Sequence, residues 1–201
     1  MTRIKFCGLT HIEDIKAVND LKPEFIGFVF WPKSKRVVTR EQASELKAVL
    51  DPSIKAVGVF VDEDTDIVKA LLNDDIIDIA QLHGSEDEAY INELKSKSGK
   101  QVIKAFKITS AEDIEAARRS PADYVLLDSG TGTGQTFDHS LIRDIDRPIF
   151  LAGGLTPGNV AETINEYSPF AVDASSSLET NGKKDKNKMT AFVNAVRGKE
   201  R

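Results

Sequence analysis

Cysteine, tryptophan and histidine are scarce in this chain. There is one cysteine (Cys7), one tryptophan and three histidines in 201 residues. A lone cysteine excludes an internal disulfide and suits a reducing compartment, so a cytoplasmic protein is expected. His11, His83 and His139 are not spaced as a metal pair, and no metal site is expected. No apolar run is long enough to span a bilayer, so no membrane partner is expected. Basic residues are also in deficit: 27 Lys and Arg stand against 32 Asp and Glu, a formal net charge of −5. With no basic stripe, nucleic acid is excluded as the natural partner. Met1-Thr2-Arg3-Ile4-Lys5 runs directly into a strand pattern, which predicts neither a signal peptide nor a lipid anchor.

What the chain does have is a repeating alternation of strand and helix. Eight β-branched or apolar runs fall at 3–7, 25–30, 55–61, 77–82, 101–106, 123–128, 148–152 and 170–174. Helical patterns lie between them at 11–20, 40–50, 65–74, 86–98, 110–119, 138–144, 157–167 and 186–197. Such alternation implies a parallel sheet with crossover helices. Runs such as Val57-Gly58-Val59-Phe60-Val61 are apolar almost throughout, as strands buried on both faces are. Capping boxes are read at Thr10–Glu13, Thr39–Gln42 and Ser85–Glu88, and Thr156-Pro157 reads as an N-cap followed by a first-turn proline. Ala43, Leu46, Val49 and Leu50 form the apolar stripe of one helix. Eight βα units without a composition break predict an α/β fold, a single-domain (β/α)8 TIM barrel over 1–201, with 198–201 as a frayed tail. An open doubly wound sheet is the structural alternative.

In such a barrel the functional residues gather at strand C-termini and in the βα loops. Cys7 ends the first run, with Gly8 following at once, so its thiol is presented rather than packed in mid-strand. Taken alone, a free cysteine is also an ordinary buried hydrophobe. Asp128 closes Val125-Leu126-Leu127 in the same manner. The two make a candidate base and a candidate acid on opposite sides of a pocket. The run Gly130–Gly134 lacks the Gly-Lys-Ser/Thr ending of a nucleotide loop and reads as an active-site loop. Gly153-Gly154 after the seventh run and Asp173 to Ser177 after the eighth resemble a phosphate cradle. Lys33-Ser34-Lys35-Arg36 is a basic cluster after the second run, and Arg36 suits bidentate binding of a ligand carboxylate. Gln81 and His83 follow the fourth run. His83 on its own reads as a hydrogen-bonded structural histidine.

These residues belong to a longer set of matches. Lys5-Phe6-Cys7-Gly8-Leu9-Thr10, Gly27-Phe28-Val29-Phe30, Pro32–Arg36, Val57–Val61 and Gln81-Leu82-His83-Gly84 are followed by Leu127-Asp128, Gly132-Thr133-Gly134 and Phe137-Asp138. Leu151–Leu155, Phe170–Asp173, Ser175-Ser176 and Gly182-Lys183-Lys184-Asp185 complete the set. In this order, across nearly the whole chain, they resemble the phosphoribosylanthranilate isomerase family of tryptophan biosynthesis. The resemblance implies a TIM barrel that isomerises N-(5-phospho-β-D-ribosyl)anthranilate to 1-(2-carboxyphenylamino)-1-deoxy-D-ribulose 5-phosphate. It implies no metal, no organic cofactor and a phosphorylated small-molecule ligand, in a monomer or homodimer. It further implies Cys7 as general base, Asp128 as general acid, Arg36 on the anthranilate carboxylate, and Gly153, Gly154, Ser175 and Ser176 on the phosphate. Gln81, His83 and Asp173 fall in matching segments and are read as further substrate-binding residues. The departures are Gln135 for a lysine, His139 for a tryptophan and Ser177 for a glycine. A related phosphosugar isomerase and a non-catalytic phosphosugar-binding barrel are the alternatives; retention of both Cys7 and Asp128 speaks against the latter.

Overall fold

A computed structural model describes residues 1–128 and 145–198. The Gly130–Gly134 loop, the helix expected at 138–144, Gln135, His139 and the last three residues lie outside the described residues. Eight strands form a closed barrel in chain order: β1 (Arg3–Cys7), β2 (Phe25–Val29), β3 (Lys55–Phe60), β4 (Ile79–Leu82), β5 (Gln101–Lys107), β6 (Tyr124–Asp128), β7 (Ile149–Ala152) and β8 (Ala171–Ala174). Every neighbouring pair is parallel, and β1 pairs with β8 at Arg3↔Ala171 through Phe6↔Ala174. That closing pair excludes the open sheet. The described helices are α1 (Ile12–Leu21), α2 (Arg40–Ala48), α3 (Thr65–Asn73), α4 (Glu88–Ser98), α5 (Ala111–Arg119), α6 (Val160–Tyr167) and α7 (Lys186–Arg197).

Helix starts differ from expectation where a better acceptor lies nearby. At Thr39 the capping box stands, with Gln42 N–H donating to Thr39 Oγ1. At α1 the carboxylate of Asp14 instead gathers the N–H groups of Thr10 and His11, so His11 is the cap. At α4 the cap is Asp87, which accepts from Tyr90 N–H, while Ser85 donates to Asp62. The regular part of α6 begins at Val160 after a turn through Pro157, with Asn159 at its N-cap. The α2 stripe is narrower than expected: Ala43, Leu46 and Leu50 are buried, but Val49 ends the helix and is 51% exposed.

Alternation along each strand sorts residues to two sides. Ile4, Phe6, Ile26, Phe28, Ala56 and Ala80 face outward into the core shared with the helices. Phe25, Val57, Ile79, Ile103, Leu126, Phe150 and Ala171 fill the barrel interior. At its N-terminal end Phe150 packs edge-on against Phe25 and Tyr124, with Phe170 tilted beside them and the Arg3 guanidinium over the Phe170 ring. Because Ile4 and Phe6 face outward, Arg3, Lys5 and Cys7 share the inner face of β1.

After β8 the chain makes a short 3-10 turn at Ser176–Leu178, then a hairpin of β9 (Glu179–Thr180) and β10 (Lys183–Lys184). Asn181 and Gly182 at its tip both have positive φ, as a two-residue turn of this kind requires.

Candidate active site

All ten predicted site residues line one cavity of about 460 Å³ at the C-terminal mouth of the barrel. Val29, Val59, Val61, Trp31 and Leu155 supply its apolar wall. Of the basic cluster only Arg36 reaches the cavity; Lys33 and Lys35 are exposed.

Cys7 ends β1 opposite Gly27 of β2. A Cβ at Gly27 would sit 2.8 Å from the Cys7 sulfur, so the missing side chain makes the room the thiol occupies. Asp128 ends β6, across the mouth from Cys7. Its carboxylate lies 3.9 Å from His83 Nε2. Gln81 Nε2 stands 3.2 Å from His83 Nδ1. The amide nitrogen only donates, so Nδ1 accepts and the ring proton lies on Nε2, toward Asp128. Burial pushes the His83 pKa down, against the pull of Asp128, which keeps the ring neutral. Gln81 Oε1 is buried with no partner among the described residues. Asp173 Oδ1 is in the same condition. Two orphaned acceptors on opposite strands of the barrel, β4 and β8, suit a ligand that lies between them and carries hydroxyl donors.

The loops after β7 and β8 present backbone and hydroxyls. Gly153 and Gly154 have φ of 97° and 62°, consecutive left-handed positions open to glycine. Ser175 Oγ donates to the Cys7 carbonyl, and Lys184 Nζ donates to the Ser175 carbonyl at 3.0 Å. Ser177 has no positive φ, so a serine fits where the resemblance leads one to expect glycine.

Arg36 is held by Glu179, with Nε at 2.5 Å and Nη2 at 2.8 Å from its two oxygens. That pairing uses the Nε side of the fork and does not use the Nη1 side. Glu179 also accepts from Lys184 at 2.8 Å. Burial works against the Glu179 charge, but the two cations outweigh it and hold its carboxyl below the usual range.

Sequence reasoning passed over four site-building residues. Lys5, on the inner face of β1, is fully buried and ion-paired at 2.8 Å with Asp173. Glu179 and Lys184 were passed over too, although Asn181-Gly182 marks their hairpin in the sequence. The fourth is Glu86, whose carboxylate accepts from Asp62 N–H and Gly84 N–H and pairs at 3.0 Å with buried Lys104. This pair ties down the loop that carries His83. Among the described residues no group of three His, Cys, Asp or Glu is placed to hold a metal ion, and no helix is long and apolar enough to cross a membrane.

The family model described as N-(5'phosphoribosyl)anthranilate (PRA) isomerase matches residues 4–195. The chain belongs to the N-(5'-phosphoribosyl)anthranilate isomerase family. A curated member from Clostridium acetobutylicum is 45% identical over 98% of this chain and 98% of its own length. The solved structure of the Thermotoga maritima phosphoribosyl anthranilate isomerase superposes with a TM-score of 0.90 at 36% identity, covering 98% of this chain and 100% of that one. A second solved isomerase, bound to reduced 1-(o-carboxyphenylamino)-1-deoxyribulose 5-phosphate, gives a TM-score of 0.89 at 36% identity, covering 98% of this chain and 100% of that one. The fold is thus the family's TIM barrel and the activity its isomerisation, a step of tryptophan biosynthesis.

Proposed function

We propose that this cavity carries out the family's Amadori rearrangement with Cys7 as general base and Asp128 as general acid, in one domain spanning the chain. The order of groups around the mouth carries the reading. The loops after β7 and β8 hold glycines and serines, Cys7 stands at the end of β1, and Arg36 follows β2. The substrate has its phosphate on C5 and its carboxylate on the aryl ring at C1. Laid with phosphate at β7–β8 and carboxylate at Arg36, it passes C2 over Cys7.

The chemistry then follows from the groups in place. Asp128 gives its proton to the ribose ring oxygen as the C1–O bond breaks, and the nitrogen lone pair forms the iminium. The Cys7 thiolate takes the proton from C2. The C–H pair becomes the C1=C2 bond, and the iminium pair returns to nitrogen. The enolamine so formed tautomerises to the ketone. Each proton transfer contributes roughly 10²–10⁴-fold. Neutral His83, oriented by Gln81, donates Nε2–H toward Asp128 or a ligand oxygen. Asp173 Oδ1 and Gln81 Oε1 accept from sugar hydroxyls. Arg36 uses its Nη1 side for the aryl carboxylate while Glu179 fixes the other side. Lys184 places positive charge behind Ser175, next to the phosphate.

The test is loss of fluorescence of freshly generated phosphoribosylanthranilate on adding the purified chain, with a chelator present. Decay proportional to protein concentration is expected. Decay no faster than in buffer, together with saturable binding of the phosphorylated product, would favour the non-catalytic phosphosugar-binding barrel.

A further inference from the structure

Lys5 is a buried, charged side chain to which the mechanism above gives no task. It lies two residues before Cys7 on the same face of β1, and its side chain is 0% exposed. Its Nζ is 2.8 Å from Asp173 Oδ2, across the seam where β8 closes on β1. Asp173 and Cys7 both line the cavity, whereas Lys5 does not. A buried ion pair at this depth is weak support for stability, because desolvation offsets much of the attraction. Its location, two residues before Cys7 on the same inner face of β1, points elsewhere.

We propose that Lys5 is a positioning residue for the isomerisation: its ammonium, anchored by Asp173, is the cation that makes the Cys7 thiolate available as the base. This rests on the reading of Cys7 as base. Lys5 has no route to the ligand and stays protonated throughout; it acts only through the sulfur. In the proton-abstraction step the thiolate becomes S–H, so the ammonium stabilises the reactant thiolate and releases that interaction as the proton arrives.

The charges facing Cys7 come from several elements. Lys5 stands below it on β1, Asp173 on β8, Lys184 on β10 and Arg36 after β2, with Asp128 and His83 across the cavity. Burial pushes the thiol up; Lys5 and Lys184 pull it back, and Asp173 pushes it further up. Burial also works against the charge on Lys5, but Asp173 and Cys7 outweigh it and hold the lysine above its ordinary value. Lys5 is therefore a cation at neutral pH. Removing Lys5 and removing Asp173 must then move the thiol in opposite directions.

Because Cys7 is the only cysteine, its thiolate can be titrated without ambiguity by iodoacetamide incorporation against pH in the full chain. Lys5→Met should raise the alkylation midpoint by about one pH unit or more, which is about tenfold less thiolate at neutral pH. Asp173→Asn should lower the midpoint. In the isomerase assay Lys5→Met should lose about tenfold in kcat/KM at neutral pH and recover as pH rises, and Lys5→Arg should restore most of the loss. An alkylation midpoint unchanged in Lys5→Met, or displaced the same way in both variants, would overturn the proposal. So would an activity loss that is uniform across pH and not rescued by arginine. If Lys5→Met alone leaves buried Asp173 uncompensated and the chain unfolded, the Lys5→Met/Asp173→Asn pair keeps the test open. Its midpoint must still lie above that of the unsubstituted chain, since the lysine outweighs the aspartate at the sulfur. Alkylation reports the thiolate independently of turnover. Should Cys7→Ser retain activity while these shifts are observed, the role of Cys7 has failed and the electrostatic link has not.

Discussion

The two ends of the barrel interior are built on different rules. The N-terminal end is an aromatic plug of Phe25, Tyr124, Phe150 and Phe170, with Arg3 stacked on it. The C-terminal end, a few residues along the same strands, holds Lys5, Cys7, Gln81, Asp128 and Asp173. Below, the rings satisfy one another by packing. Above, Gln81 Oε1 and Asp173 Oδ1 are buried without partners among the described residues. Unmet acceptors at one end and a filled core at the other fit the proposed segregation of chemistry and stability along the barrel axis. Substitutions at the two ends should therefore separate cleanly in what they change.

The largest effect is expected at the upper end. Asp128→Asn should lower kcat by roughly 10²–10⁴-fold with the melting temperature nearly unchanged, as the fluorescence assay and thermal unfolding will read. Phe150→Ala should do the reverse. It removes a fully buried ring and should cost about 3–5 kcal/mol in chemical denaturation, with kcat per folded molecule retained. Arg36→Ala should raise KM by about 10–100-fold, the worth of a charged hydrogen-bonding pair, with a smaller change in kcat. An unchanged KM would remove Arg36 from the carboxylate site. Gly27→Ala tests the space rather than the charge: its methyl would press on the Cys7 sulfur, so kcat should fall while the overpacking costs about 1–3 kcal/mol.

The smallest effect concerns pH. Glu179 has its folded pKa held below the unfolded value of about 4.3. Its contribution to stability is present above that unfolded value and is lost as pH falls through the folded one. Melting temperature measured from pH 6 to pH 3 should therefore fall less steeply in Glu179→Gln than in the unsubstituted chain. Equal slopes would show that the Arg36–Glu179–Lys184 cluster adds nothing to acid stability.

The strands were legible in the sequence because each is a short apolar run of the barrel-burying kind, and β1 through β8 all match expectation to within two residues at either end. Helix caps were less so, since Ser85 and Asp87 are equally good caps by type. Only the position of Asp62 decides that Ser85 bonds elsewhere. Cys7 and Asp128 could be read because each ends a strand. Lys5 could not, because a lysine inside an alternation looks like the exposed half of an edge strand. Its partner Asp173 lies 168 residues away, across a seam that exists only once the barrel closes. Arg36 lines the cavity, as its place after the second run suggests, but Glu179, 143 residues on, was not foreseen as its anchor. Pairings between distant loops are a property of topology, and local pattern does not contain them.

The most direct test of the account is turnover by Cys7→Ser, followed through the fluorescence of freshly generated phosphoribosylanthranilate alongside thermal unfolding. The predicted result is a fall in kcat of roughly 10²–10⁴-fold with an unchanged melting curve. A rate near that of the unsubstituted chain would contradict the assignment of the base, and with it the division of the barrel into a packed end and a reactive one.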